Sequence, residues 1–197
     1  MRKRTEGAGR PVDLELRERV LRISFQLLRE KKNLRTITID EIASSAEASK
    51  ATIYKQWSSK SALFVDCFFH AVNTELAFDK KMPPLEALRK QFLALGRILG
   101  SEDGEVLRAF IAESCFDDEV RKALQEQYFL PRRKAAIAFM RGAMEQNAIS
   151  SSTRPEIAVD ALYGAYFYAL MTGFRAIDEE WCCRIFDAVV NGLARRD

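Results

Sequence analysis

The chain has 197 residues, of which 48% are hydrophobic and 30% charged, a balance that excludes a low-complexity or largely disordered polypeptide. It contains neither a run of the roughly 18 uncharged apolar residues that span a membrane nor an apolar signal core after its basic start, so we expect a cytoplasmic protein without a membrane partner. The net charge of +3 is uneven, because residues 1–60 carry 14 Lys/Arg and 8 Asp/Glu (+6) while residues 61–197 carry 17 and 20 (−3). A basic first third predicts that this part of the chain binds a polyanion.

The first predicted elements are a basic arm and a helix. Residues 1–12 combine four Lys/Arg with two glycines and a proline, a composition typical of a mobile segment outside the core. From Asp13 onward, apolar residues recur at steps of three and four, and this spacing predicts a first helix that ends between Lys31 and Asn33.

Two short helices are predicted next. Thr38, followed three residues later by Glu41, matches the capping-box pattern and predicts a second helix of about two turns. Ser49 is suited to cap a third short helix that ends near Gln56. Two short helices joined by a tight turn form a helix-turn-helix, so we assign residues 13–58 to a domain of that type.

Residues 59–197 are predicted to form a larger helical domain. Its helices begin at residues suited to a cap or a first turn, namely Ser59, Pro84, Ser101 or Asp103, Asp117, Pro155 and Asp178. Pro131 lies inside the helix that starts at Asp117 and predicts a kink or a break there. No stretch shows the alternation of a strand, so the predicted fold is all-α with about nine helices.

Residues 36–63, with the sequence TITIDEIASSAEASKATIYKQWSSKSAL, closely resemble the DNA-binding motif of the TetR family of transcription regulators. The residues that carry the resemblance are Thr38, Ile42, Ala43, Ser49, Thr52, Ile53, Tyr54, Trp57, Ser59, Lys60, Ala62 and Leu63. The order of short and long helices is similar to that family over nearly the whole chain. The resemblance implies a homodimer that binds double-stranded operator DNA through residues 13–58 and senses a small, partly apolar molecule through residues 59–197.

The third helix carries the polar side chains that a DNA-binding surface needs. Lys50 and Ala51, near its N-terminus, are placed to enter the major groove, whereas Tyr54 and Lys55 lie nearer the flanking backbone. The resemblance implies that phosphates are contacted by Thr38, Thr52, Tyr54 and Lys60. It implies base contacts by Lys50, Ala51 and Gln56. The predicted DNA-binding residues are Arg4, Thr38, Ser49, Lys50, Ala51, Thr52, Tyr54, Lys55, Gln56 and Lys60.

Glu47 departs from the family pattern, in which glycine commonly occupies this position of the turn. Glutamate disfavours a positive φ, so either the turn has a different geometry or it is strained. The carboxylate is also expected to lie close to DNA, where its charge lowers the affinity for any sequence.

The aromatic side chains of the larger domain are explained either by core packing or by a ligand pocket. Packing is the simpler explanation for any one of them, while the resemblance implies a sensing pocket among helices five to eight. The predicted pocket residues are Phe68, Phe92, Phe110, Tyr128, Tyr163 and Phe167.

The last two predicted helices have features of an interface. Helix eight carries small residues, which allow a second helix to approach closely, and helix nine carries an apolar ladder with a step of four. The resemblance implies that both helices pair across a two-fold axis, although the same stripes also suit a core. The predicted interface residues are Ala161, Ala165, Trp181, Ile185, Val189 and Leu193.

We predict no catalytic site, metal site or cofactor. His70 is the single histidine and the four cysteines form no C-x-x-C pair, so no set of three or four metal ligands is indicated. A redox role for Cys67 and Cys115 stays open. The acidic residues 117–119 suit a helix start rather than a pair of catalytic carboxylates.

Three classes of function are compatible with these features. The favoured one is a repressor that a small molecule releases from its operator, and the alternatives are a DNA-binding activator or architectural protein without an inducer and an enzyme with a helix-turn-helix appendage. A closed apolar pocket favours the first class, a solid core the second, and convergent titratable groups the third.

Overall fold

The computed structural model describes residues 11–72, 76–150 and 154–192, and within them the fold is all-α, as predicted, with nine helices and no strand. None of these helices is long and apolar enough to cross a bilayer. The helices are α1 (Pro11–Lys31), α2 (Ile39–Ser45), α3 (Lys50–Gln56), α4 (Lys60–Val72), α5 (Pro84–Leu99), α6 (Glu102–Ser114), α7 in two α-helical parts (α7a, Asp118–Leu124, and α7b, Leu130–Glu145), α8 (Pro155–Thr172) and α9 (Glu179–Gly192).

Contacts divide the chain into two compact units, Met1–Ala71 and Val72–Asp197. The first unit extends beyond residue 58, where the sequence analysis ended the helix-turn-helix domain. The reason is that α4 supplies much of this unit's core, since Phe64 and Phe68 are fully buried. The ring of Phe68 lies edge-to-face against that of Phe25 on α1, with 6.0 Å between the ring centroids.

The second unit is built around α5, which packs against α6, α7b, α8 and α9. Phe92 of α5 is completely buried and stacks on Tyr166 of α8 at a centroid distance of 4.3 Å. The hydroxyl of Tyr166 donates a 2.7 Å hydrogen bond to the Phe92 carbonyl, so the polar end of this buried ring is satisfied. α5 and α8 are thereby held in a fixed relation within the unit.

A π-helical turn, Gln125–Phe129, joins α7a to α7b. Its wider hydrogen bond runs from the Leu130 N–H to the Gln125 carbonyl. Pro131, which follows directly, has no N–H, and its ring clashes with the preceding turn of a regular α-helix. The helix therefore continues past Pro131 through a π turn, where the sequence analysis predicted a kink or a break.

Candidate nucleic-acid interface and ligand cavity

The start of α2 is capped as predicted. The Thr38 hydroxyl accepts a 3.2 Å hydrogen bond from the Glu41 N–H. Only this half of the capping box is used, because the Glu41 carboxylate accepts from Lys31 Nζ at 2.7 Å. The ion pair ties the start of α2 to the end of α1.

The turn between α2 and α3 is a Schellman motif with a strained residue. The Ala48 N–H donates to the Ala43 carbonyl at 2.9 Å, and the Glu47 N–H donates to the Ser44 carbonyl at 3.3 Å. Glu47 has a φ of +51°, which is the left-handed region that favours glycine. The turn therefore has the left-handed geometry that glycine adopts readily, and the strain of Glu47 in this conformation destabilises the protein by about 1 kcal/mol.

Replacing Glu47 by asparagine is expected to raise the free energy of unfolding by about 1 kcal/mol, because asparagine adopts the left-handed conformation more readily. Glu47→Gln is the matched control, since it removes the same charge and keeps the strain. Urea unfolding of both variants measures the difference. An equal gain in both would show that the charge, and not the backbone, is responsible.

α3 has a buried inner face and an exposed outer face. Ser49 caps the helix, and its hydroxyl accepts from the Thr52 N–H at 3.0 Å and lies 2.8 Å from the Thr52 hydroxyl. Ile53 and Trp57 are buried below the helix. The predicted contact residues that the structure leaves exposed are Thr38, Ser49, Lys50, Ala51, Tyr54 and Lys55, while Thr52, Gln56 and Lys60 are half-buried.

Both Lys50 and Lys60, which are predicted to contact DNA, have partners for their ammonium groups within the protein. Lys50 Nζ lies 2.5 Å from the Asp40 carboxylate, and both side chains are more than half exposed. Lys60 Nζ donates to the carbonyls of Leu34 and Ile37, at 3.1 and 3.0 Å. The Lys60 ammonium therefore holds the turn before α2, and a phosphate contact by it stays a prediction.

A network that the sequence analysis missed fixes the end of α3. The Asp66 carboxylate of α4 accepts from Trp57 Nε1 at 2.8 Å and from the Arg17 guanidinium of α1 at 2.6 Å. Arg17 also lies over the Trp57 ring, 5.7 Å from its centroid. One carboxylate thus connects α1, α3 and α4.

Arg4, also predicted to contact DNA, lies outside the described residues.

The second unit contains a cavity of about 280 Å³, lined by α5, α6, α7 and α8. Three of the predicted pocket residues line it, namely Tyr128, Tyr163 and Phe167. Phe92 and Phe110 are instead fully buried in the core, because their rings pack between helices. Phe68 belongs to the core of the first unit.

The cavity is mainly apolar, and its few polar groups converge. The Tyr163 hydroxyl donates to Gln91 Oε1 of α5, and burial raises the pKa of Tyr163 well above its usual value. Burial likewise raises the pKa of Tyr128 to about 12, so both phenols are neutral donors at pH 7. Arg132 lies over the Tyr128 ring, 4.7 Å from its centroid.

The predicted interface residues differ in how exposed they are within one subunit. Ala161 of α8 is exposed, Ala165, Ile185 and Val189 are half-buried, and Leu193 lies outside the described residues. Trp181 is only 6% exposed and packs against Tyr166, so it belongs to the core of its own unit. An exposed stripe does run along α8, and its residues are Ile157, Ala161, Gly164, Tyr168 and Met171.

Cys67 and Asp117 both have structural roles in their helices, as their burial and hydrogen bonds show. Cys67 is buried and its pKa is raised by that burial, which disfavours the reactive thiolate. The Asp117 carboxylate caps α7a and accepts from the N–H groups of Glu119 and Val120, at 2.8 and 3.1 Å. Among the described residues no cluster of three potential metal ligands occurs.

Comparison with known proteins gives consistent matches over both units. Residues 28–67 match the family model of bacterial regulatory proteins of the tetR family, and residues 85–189 match the tetracyclin repressor-like C-terminal domain. The chain is 28% identical over 185 residues to the HTH-type transcriptional regulator YdeS of Bacillus subtilis, covering 94% of this chain and 91% of that protein. It is 30% identical over 195 residues to the HTH-type transcriptional regulator Rv1556 of Mycobacterium tuberculosis, covering 94% and 93%. The crystal structure of the TetR family transcription regulator SCO0332 superposes with a TM-score of 0.75 at 28% identity, over 92% of this chain and 100% of that one.

Proposed function

The chain belongs to the TetR family, which makes it a DNA-binding transcription regulator rather than an enzyme, and from that premise we propose that it is a cytoplasmic repressor released from its operator by a small molecule. The observation that carries this proposal is the cavity of about 280 Å³ inside the second unit. Its apolar lining with a few convergent polar groups is typical of a ligand site. Such a cavity favours an inducible regulator over one whose second unit has a solid core.

The outer face of α3 supports operator binding through the major groove. Lys50 and Ala51 lie at the exposed N-terminal end of the helix, from which side chains reach base edges. Tyr54 and Lys55 are exposed further along it, where they are placed to meet the flanking phosphates. A base contact by Lys50 replaces its ion pair with Asp40, so the two side chains separate on binding.

The exposed stripe on α8 supports a homodimer. Its centre consists of Ala161 and Gly164, and the space where a side chain of residue 164 would lie is open to at least 4 Å. Larger apolar side chains follow at Tyr168 and Met171, which are exposed at 63% and 42%. A small centre with an apolar flank suits close helix pairing across a two-fold axis, and a two-fold dimer presents two copies of α3 to two half-sites.

Distant proteins of the same fold support a small-molecule effector. One solved structure, a putative transcriptional regulator from Saccharomonospora viridis, is a complex with choline, with a TM-score of 0.62 at 17% identity. Another is the flavonoid-responsive regulator FrrA, with a TM-score of 0.64 at 21% identity. At these identities the likeness concerns the fold, and the chemistry of the effector must come from this chain's own cavity.

The proposal is tested by finding the operator and then measuring how ligands change its affinity. Selection of bound fragments from a genomic DNA pool gives the operator, and a thermal-shift screen of the DNA-free protein gives ligands. We expect a stabilising ligand to weaken operator binding by a coupling free energy of about 1–3 kcal/mol.

A cavity-filling variant is the control. Ala136 is buried and lines the cavity, so Ala136→Phe is expected to abolish the ligand response and keep operator binding. Stabilising ligands that all leave the operator affinity unchanged would contradict the release model.

A further inference from the structure

We propose that the cavity selects a planar aromatic ligand, whose ring extends an array of edge-to-face rings formed by Tyr128, Phe129 and Phe167. This inference rests on the proposed function, in which the cavity holds the effector. The volume of about 280 Å³ lies at the lower end of the roughly 300–1,000 Å³ that ligand pockets occupy, so it suits a compact ligand.

The π-helical turn brings two successive aromatic residues to the wall of the cavity. Tyr128 and Phe129 both belong to this turn, and both line the cavity. A π turn contains more residues than a turn of an α-helix, so neighbouring side chains diverge less around the helix axis. The turn that carries the helix past Pro131 therefore also supplies aromatic surface to the cavity, and π turns within helices are frequent at functional sites.

Three rings of the lining form a continuous array. The Phe129 ring lies edge-to-face against that of Tyr128, with 5.2 Å between the ring centroids and 64° between the ring planes. It lies in the same way against the ring of Phe167 on α8, at 5.5 Å and 65°. In such pairs the positive edge of one ring meets the negative face of the next. Phe129 is therefore the central ring, and its replacement interrupts the array.

The protein leaves part of this array uncovered. Phe129 is half-buried and Phe167 is 38% exposed, although both line the cavity. Tyr166 also lines the cavity, but it is fully buried and stacks on Phe92. A ligand that covers the rings of Phe129 and Phe167 removes their apolar surface from water, and an aromatic ligand adds a ring–ring interaction to that gain.

Ring contacts give the cavity a means of selection that two of its hydroxyl groups do not. The Tyr163 hydroxyl already donates to Gln91 Oε1. The Tyr166 hydroxyl donates to the Phe92 carbonyl at 2.7 Å. A ligand that accepted from either group would displace one of these bonds. Burial of equal apolar area stabilises an aromatic and a saturated ligand about equally, whereas each aromatic pair adds a factor of roughly two to twelve in affinity.

The test compares 2-naphthalenemethanol with decahydro-2-naphthalenemethanol, which carries the same hydroxymethyl group on a saturated ring system. Equilibrium dialysis on the full-length protein is expected to show about ten-fold tighter binding of the aromatic compound, because two ring contacts act together. Phe129→Leu should reduce this preference to about two-fold or less and keep the binding of the saturated compound, which also shows that the variant is folded. Phe116→Leu, the same change at a side chain that is 83% exposed and lies outside the lining, should behave as wild type.

The inference is overturned if the saturated compound binds as tightly as the aromatic one, if neither compound binds, or if Phe129→Leu keeps the full preference. An equal loss in Phe116→Leu would overturn it too, since the array would then have no special role. The proposed function depends on a different readout, the effect of a bound compound on operator affinity. A saturated compound that binds as tightly as its aromatic counterpart and releases DNA would overturn the aromatic inference alone. An aromatic compound that binds through Phe129 and leaves operator affinity unchanged would support the inference and contradict the release model.

Discussion

Ala161→Arg is expected to dissociate the proposed dimer and to weaken operator binding by about a hundredfold or more, because each subunit would place an unpaired guanidinium in the interface. Ala161 lies at the centre of the exposed stripe on α8, between Ile157 and Tyr168. The isolated subunit accommodates arginine at an exposed helical position at little cost. Sedimentation equilibrium measures the loss of the dimer, and operator titration measures the loss of the second half-site.

Ala138→Arg is the matched control. Ala138 is an exposed alanine on α7b, so the variant adds the same side chain and charge to a helix of the same unit. It should remain dimeric and bind the operator as the wild type does. If the Ala161→Arg protein remained dimeric, the interface would lie elsewhere than on the α8 stripe. This conclusion would hold whether the Ala138→Arg protein was dimeric or monomeric.

The helix-turn-helix was predictable because its signals are local. Thr38 and Ser49 each cap a helix through an N–H three residues away, and both caps are present in the structure. The network of Asp66 with Arg17 and Trp57 was not predictable, because Asp66 and Arg17 are 49 residues apart in the chain. Sequence spacing carries no information about such a pair until the helices are packed.

The cavity was only partly predictable, for a different physical reason. Phe92 and Tyr163 are both aromatic residues on inward helix faces, and only tertiary packing decides that the first is core and the second lines a cavity. Gln91 did leave a signal, since it interrupts the apolar stripe of α5 between Leu88 and Leu95. A polar residue on an apolar face indicates either a buried hydrogen bond or a ligand contact, and Gln91 accepts a hydrogen bond from the Tyr163 hydroxyl.

Whether Trp181 lies in the core or in the dimer interface was likewise not predictable from the sequence. Its spacing on α9 fits an apolar ladder, and a ladder that faces a partner subunit has the same pattern as one that faces the core. The structure places Trp181 in the core because its ring packs against Tyr166 of α8, at a centroid distance of 5.7 Å. The exposed stripe on α8 supports the proposed interface, and the contribution of Ile185 and Val189 to it stays a prediction.

Lys60→Ala is expected to lower the free energy of unfolding by about 2 kcal/mol or more, since hydrogen bonds to a charged group contribute roughly 1.5–3 kcal/mol each. The Lys60 ammonium donates to the carbonyls of Leu34 and Ile37, and alanine leaves both without this donor. These carbonyls flank the turn that leads into α2, so the loss should also loosen the helix-turn-helix and reduce operator affinity. Urea unfolding and operator titration at several salt concentrations measure the two effects.

The Lys55→Ala variant distinguishes the loss of a phosphate contact from the loss of a contact that stabilises the fold. Lys55 is exposed on α3 and, among the described residues, forms no ion pair or hydrogen bond through its side chain, so its loss should leave the free energy of unfolding within about 0.5 kcal/mol of wild type. It should instead flatten the dependence of log K on log salt by roughly two units per dimer, because each neutralised phosphate contributes about 0.9. If Lys60→Ala were as stable as wild type and changed only this slope, its ammonium would act on phosphates and not on the turn. If Lys60→Ala lowered the free energy of unfolding and left the salt slope unchanged, Lys60 would act on the turn alone. If Lys60→Ala lowered the free energy of unfolding and also flattened the salt slope, the Lys60 ammonium would bind both the turn carbonyls and a phosphate.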